Sequence, residues 1–522
     1  MRKRAAGALC CSLFLLLSNA AHSAPLIPAE LFTLAETCHK NGRNLEALSF
    51  YRDVLLNSGP AGVPTVLYKN MGDIYFEYLE GYEQALACYR KQVETFPALP
   101  CTPDVHLRIA RILYLQGLKE QARAHYQFIR TTFPAYAKKN SFAEELRRLE
   151  KGEPPFACST VSLEQQLPLH IRVLLKDDAE PAELSAPRGL SFFTDQPAPF
   201  LTIPAGARIY CRPGKEGIAL DSQRVAKTPV RIEAVEEAGI EVNKKTYRGA
   251  VWAYLREGRL VLVNHVPLEE YLYGVLAKEV PESWPEAALR AQAVAARTYA
   301  LYHVLKRTSE LFDVFSTTAS QVYGGRDSEK TASRKAVDET KGRVLSYAKK
   351  LALPLYHANS GGMTAAAEDI WGWPAAYLTA RTDEFSRDMK NFQWDGTVAA
   401  DELAGHLQKA GCALPVMETI TPLQRDRSGR ITRLALQEGK HTAYLSGNSF
   451  RLLAGPAQIK SAHFTVERNN QSFIFNGSGY GHGVGMSQWG ACNMARQGYR
   501  AEQILQWYYP GTTMVTIRYQ NK

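Results

Sequence analysis

Among the acidic side chains of this 522-residue chain, the one whose setting suggests chemistry is Glu279. It stands just ahead of Pro281 in Leu268-Glu-Glu-Tyr-Leu-Tyr-Gly-Val-Leu-Ala-Lys-Glu-Val-Pro-Glu-Ser-Trp-Pro. Proline does not continue a helix, and Ser283 with Glu286 has capping-box spacing. The stretch therefore predicts a short helix, a break holding Glu279, and a second helix. A carboxyl group displaced from helical geometry by the nearby proline projects from a rim, where it can act as a proton donor. Spacing alone does not raise it above Glu269, Glu270 or Glu282, since a glutamate at a helix end usually caps or solubilises.

Three further clusters carry polar chemistry. Ser316-Thr-Thr-Ala-Ser-Gln-Val-Tyr offers Ser316, Thr317, Gln321 and Tyr323, neutral groups of the kind that bind sugar hydroxyls. Each such hydrogen bond contributes about 0.5–1.5 kcal/mol. Tyr356-His-Ala-Asn-Ser-Gly-Gly-Met-Thr supplies His357, Ser360 and Gly361, with the glycine pair permitting a sharp turn. Gly479-Tyr-Gly-His-Gly-Val-Gly-Met-Ser-Gln-Trp-Gly-Ala supplies His482 and Gln488. Neither glycine-rich stretch has phosphate-loop spacing, and neither Ser360 nor Ser487 sits in Gly-x-Ser-x-Gly. His357 and His482 lack a third ligand in view, so they read as sugar-binding or loop-shaping residues and not as a metal pair. Arg297, three turns into the second helix, is either a buried structural cation or a carboxylate partner in the cleft.

These blocks, with Ile171-Arg-Val-Leu-Leu and Tyr247-Arg-Gly, occur in one order. From about Ile171 onward the chain resembles the SpoIID/LytB family, the stage II sporulation protein D and amidase-enhancer proteins of bacterial cell walls. The resemblance implies a lytic transglycosylase that cuts peptidoglycan glycan strands, with Glu279 as catalytic acid and the block residues above, Arg297 included, as substrate-binding candidates. It also implies a preference, in sporulation members, for strands stripped of stem peptides. The other class of function it allows is a non-catalytic glycan-binding enhancer of an N-acetylmuramoyl-L-alanine amidase. Some members hold zinc through cysteines and a nearby histidine in the Ser316 block. Here Phe315 and Ala319 occupy that stretch, so neither metal nor cofactor is expected. A catalytic acid must be protonated near neutral pH, and burial among Tyr271, Tyr273 and Trp284 is the expected cause.

The elements that position these residues are legible in outline. Residues 1–24 have the form of a secretory signal: basic Arg2-Lys-Arg, an apolar run from Ala8 to Leu17, then small residues. Such a run reaches about 16 Å, short of a hydrocarbon core of about 30 Å. Export to the periplasm or cell-wall space is expected, with no stable membrane span. The formal charge of +10 loses three cations with that segment and still favours an anionic partner. No basic run with interleaved aromatics argues for nucleic acid. The seven cysteines after the signal are scattered, leaving room for one or two disulfides.

Residues 25–151 carry a repeat: Ala47/Tyr51, Ala85/Tyr89 and Ala122/Tyr126 recur 38 and 37 residues apart. This resembles tetratricopeptide repeats and predicts stacked helix pairs, a docking surface for an amidase or another cell-wall protein, or else a spacer. Lys151-Gly-Glu-Pro-Pro opens a linker, 152–166. Residues 167–522 then read as an α+β domain: short β-type runs, a helical centre around Glu279 with an alanine-rich second helix, and more strands. A third reading is a scaffold in which the repeats do the work and the C-terminal domain merely anchors to the wall; against it, an enzyme domain should keep its activity on purified glycan after everything before Lys151 is deleted.

Overall fold

A computed structural model of the chain describes residues 28–59, 62–139, 142–153, 170–221, 224–306, 309, 311–409, 417–439 and 441–519. The signal-peptide reading and all but the first two residues of the expected linker lie outside these.

Eight helices come first: α1 (Pro28–Lys40), α2 (Asn44–Asn57), α3 (Leu67–Asp73), α4 (Tyr82–Thr95), α5 (Thr102–Leu115), α6 (Lys119–Thr132), α7 (Pro134–Lys139) and α8 (Ala143–Glu150). The recurrent Ala47, Tyr51, Ala85, Tyr89, Ala122 and Tyr126 are all fully buried. Gly72, on the helix before the Ala85/Tyr89 pair, has a steric purpose. A Cβ on Gly72 would stand 2.5 Å from the ring of Tyr89, so glycine lets the neighbouring helices close on that aromatic. Helix α8 ends where the charge-glycine boundary predicts, with Gly152 at φ +72°.

The mixed α/β region begins with a seven-stranded sheet, ordered Val314–Phe315, His170–Asp178, Arg259–Pro267, Ala250–Arg256, Val230–Ala234, Leu190–Phe193 and Leu201–Ile203. Arg259–Pro267 runs antiparallel to His170–Asp178 and passes directly into α9 (Leu268–Glu279). Helix α10 (Glu286–Lys306) follows the proline break. Leu272, Val275 and Leu276 of α9 and Ala293 and Ala296 of α10 join Val173 and Leu262 of the sheet in one core. The alanine-rich sequence of α10 makes this possible: from Ala288 to Val304 it is buried on nearly every side. Farther along, Gln393–Ala399, Ser472–Ser478 and Phe464–Asn469 form a three-stranded sheet, and Thr419–Arg425, Ile431–Glu438 and His441–Leu445 form another.

The helical region is not a detached module. Its apolar side and residues such as Leu353, Trp371, Phe450 and Tyr508 belong to one continuous core. Tyr75 donates to the carbonyl of Trp371 at 2.7 Å. Ser446 N–H donates to Asp53 at 2.8 Å, and Glu80 pairs with both Lys306 at 2.7 Å and Lys350 at 2.6 Å. The expectation of an α+β part indifferent to loss of the helices therefore meets a physical objection. Deletion would bare this core and leave Lys306 and Lys350 without Glu80.

Candidate active site

Glu279 is the last residue of α9, and Val280 takes the extended conformation that precedes Pro281. The break thus falls one residue later than the sequence suggests: the glutamate keeps helical geometry and the valine leaves it. Glu279 as a whole is half-buried. Val322 N–H donates to Oε1 at 3.1 Å and Gln488 Nε2 donates to Oε2 at 3.1 Å. Burial pushes up the hydroxyl pKa values of Tyr271, Tyr299 and Tyr356, and the charge of nearby Glu279 adds to the rise. Burial raises the Glu279 pKa above the ordinary carboxyl value, and the two hydrogen bonds, which favour the carboxylate, do not cancel it. Tyr273, expected beside it, is turned away and donates to Asp338 at 2.6 Å. Trp284 packs edge-on against Trp489, ring centres 4.8 Å apart.

A buried relay holds the tyrosines. Tyr271 Oη donates to Gln321 Oε1 at 3.1 Å, and Gln321 Nε2 donates to Tyr356 Oη at 2.9 Å and to the Ala296 carbonyl at 3.3 Å. Gln321 is therefore a core amide that sets the walls around Glu279, not a side chain held out to ligand. The Ser316 block closes on itself, with Tyr323 N–H donating to the Ser316 carbonyl at 3.1 Å and Ser320 N–H to the Thr317 carbonyl at 3.0 Å. That fold-back delivers Val322 N–H to Glu279. Thr317 is exposed and Ser316 partly so.

Several expected substrate contacts have structural partners instead. Tyr323 is buried, donates to Asn264 Oδ1 at 3.2 Å and stacks near Tyr271, so it serves the core. Arg297 is fully buried, and its guanidinium grips Glu269 through Nε at 2.9 Å and Nη2 at 2.7 Å, with the Val337 carbonyl at 3.0 Å. Of the two readings of Arg297, the structural cation is the one observed. Ser360 is also fully buried. Its Oγ donates to Asp383 Oδ2 at 2.6 Å and lies 2.7 Å from Ser386 Oγ, with no histidine on it among the described residues.

The glycine-rich loops meet beside this site. Tyr356–His357 pairs in parallel with Met486–Ser487, which brings Gln488 to Glu279. Gly361, at φ +69°, abuts the backbone of Ser478, where a Cβ would stand 2.8 Å away. Gly483, at φ +86°, lies on the guanidinium of the fully buried Arg430, which donates to the Ser360 carbonyl at 2.7 Å. His357 is buried with Nδ1 3.1 Å from the Val484 carbonyl, and His482 Nδ1 accepts from Val484 N–H at 3.0 Å. Their rings lie 5.6 Å apart, and burial lowers both pKa values, His482 to about 3. Both are committed to loop shape as neutral imidazoles. Trp371, whose carbonyl Tyr75 holds, packs on His482 at 5.4 Å.

The donors here do not fit the zinc of some members of the family resembled above: the Ser316 block has no cysteine. Among the described residues, no three His, Cys, Asp or Glu side chains converge as a metal site. Cys38, Cys88, Cys101, Cys211 and Cys492 are unpaired, while Cys158 and Cys412 lie outside the described residues. No described helix is long and apolar enough to cross a membrane.

Sequence reading missed the Val322 amide, which no side-chain type advertises, and Tyr356, which stands beside His357 in a block already singled out.

Comparison with known proteins places this geometry. Residues 256–347, which hold α9, α10 and the Ser316 block, match the family described as stage II sporulation protein. Residues 375–485 match a domain of unknown function. The chain is 30% identical over 265 residues to the stage II sporulation protein D of Bacillus subtilis, covering 48% of this chain and 75% of that protein. It is 32% identical over 307 residues to an uncharacterized protein of Brachyspira hyodysenteriae, covering 59% of this chain and 82% of that one. It is 31% identical over 290 residues to the amidase enhancer of Bacillus subtilis, covering 47% of this chain but 40% of the enhancer. The chain belongs to the stage II sporulation protein D family.

Proposed function

We propose that the chain is an exported lytic transglycosylase that cleaves the bond between N-acetylmuramic acid and N-acetylglucosamine in peptidoglycan, with peptide-stripped strands as preferred substrate. The carrying observation is Glu279: a half-buried glutamate whose charged form burial disfavours and which no cation pairs among the described residues. Such a group is an acid poised to give up its proton. Glu279 protonates the glycosidic oxygen, the bond from that oxygen to the muramyl anomeric carbon breaks, and N-acetylglucosamine leaves. The muramyl 6-hydroxyl then attacks the anomeric carbon and returns its proton to Glu279, giving a 1,6-anhydro ring. One carboxyl suffices because the second nucleophile belongs to the substrate, unlike hydrolytic schemes with two. Val322 N–H and Gln488 hold the carboxylate while it waits for that proton.

The test is mass spectrometry of products from peptide-bearing and peptide-stripped strands, with Glu279→Gln in parallel. Anhydro-muramyl ends from the parent alone support the assignment. A relative named amidase enhancer favours a second reading, glycan binding that stimulates an amidase. Intact strands in every tube, with binding retained, would select it.

A further inference from the structure

We propose that the outer face of the sheet Gln393–Ala399, Ser472–Ser478, Phe464–Asn469 binds sugar rings of an N-acetylated amino-sugar polymer, as a subsite separate from Glu279. Side chains alternate across a strand, so the cross-strand neighbours Gln393 and Ser478 share one face with the row Asp395, Asn476 and Thr465. Trp394 and Phe464 point the other way and are buried. These polar residues, together with Trp394, His463 and Phe464, line a groove of about 670 Å³, within the range of small-molecule sites.

Its chemistry selects the ligand. The side chains of Gln393, Asp395 and Asn476 make no hydrogen bond or ion pair among the described residues, so their donors and acceptors are free for a ligand. Arg425 flanks them with its guanidinium fixed by two carbonyls, Gly429 at 2.7 Å and Phe464 at 2.8 Å. A carboxylate, two amides, hydroxyls and one anchored guanidinium suit a ring bearing hydroxyl and acetamido groups. Asp395 opposes a phosphate backbone. Contacts link the groove to the acid through the interior: Gln488 touches Glu279, Ser487 Oγ accepts from Ser360 N–H at 3.3 Å, Gly361 abuts Ser478, and Ser478 pairs with Gln393. A strand long enough to reach both is what the six-sugar oligomer supplies. The choice of ligand rests on the glycan reading above.

Calorimetric titration decides it, using the full chain carrying Glu279→Gln so that nothing is cleaved, and the three- and six-sugar oligomers of N-acetylglucosamine. The six-sugar oligomer should bind more tightly than the three-sugar one. Adding Asp395→Ala with Asn476→Ala should weaken the longer oligomer about tenfold, the loss expected for a few hydrogen bonds, and leave the shorter one unchanged. Both residues are exposed, and an unchanged melting temperature excludes misfolding. Equal affinities for the two oligomers, no binding of the longer one, or a loss below twofold would overturn the subsite. Turnover that survives Glu279→Gln would sink the catalytic assignment instead and leave this titration to decide the groove.

Discussion

Helix α9 carries a buried or half-buried carboxylate at each end, and the two have opposite fates. Glu269, at the start, meets the guanidinium of Arg297, the hydroxyl of Tyr519 and Gly342 N–H. Glu279, at the end, meets one amide side chain and one backbone N–H, and no cation among the described residues. The first carboxylate is fully compensated, so it can only hold structure. The second is left wanting a proton. On the reading proposed above, the same residue type on the same helix serves architecture or chemistry according to whether a cation is buried with it.

The sharpest way to break this contrast is to remove each carboxylate. Glu279→Gln keeps shape and should lower turnover by about 10²–10⁴-fold, the usual contribution of a general acid. Its effect on stability has the opposite sign. A carboxyl with a raised folded pKa contributes stability at low pH that is lost as pH rises through that pKa. The variant should therefore melt above the parent at pH 8, with the gap closing towards pH 4.

Glu269→Ala should leave Arg297 charged and unpaired in the core and cost about 3–5 kcal/mol in urea unfolding. Replacing both partners by apolar residues of similar volume should recover most of it. A Glu269→Ala protein as stable as the parent would dissolve the comparison.

Asp53, on α2, extends the contrast across the interface. It is fully buried, accepts from Ser446, and burial pushes its pKa up to about 7. Since the folded pKa is raised, its contribution is intact near pH 4 and lost as pH climbs through about 7. Asp53→Asn should flatten that part of the stability–pH profile, read by thermal melts across the range.

Gln488→Ala is the smallest perturbation. It removes a donor that favours the Glu279 carboxylate, so the pKa should rise further. The alkaline limb of the rate profile should move to higher pH, with a severalfold loss of rate at most.

Much of this arrangement was readable from residue types and spacing. Pro281 and Pro285 announced the α9–α10 break, the alanines of α10 announced close packing, and the Ala/Tyr repeat announced the paired helices. What could not be read was which polar groups find partners. Arg297 and Ser360 look like cleft residues until Glu269 and Asp383, distant in sequence, are seen to claim them. Val322 acts through its backbone, so composition is silent about it. The groove over Asp395 and Asn476 depends on cross-strand register, which alternation alone does not fix between non-adjacent strands.

The shared core of the helical region and the α/β region bears on how the gene can vary. Tyr75 reads the Trp371 carbonyl, and the Trp371 ring rests on His482 in the glycine-rich loop that leads to Gln488. Sequence drift in the front helices is thereby felt at the loop that holds Glu279. A transplant of these helices onto another protein of the family would have to bring a matching Trp371 turn.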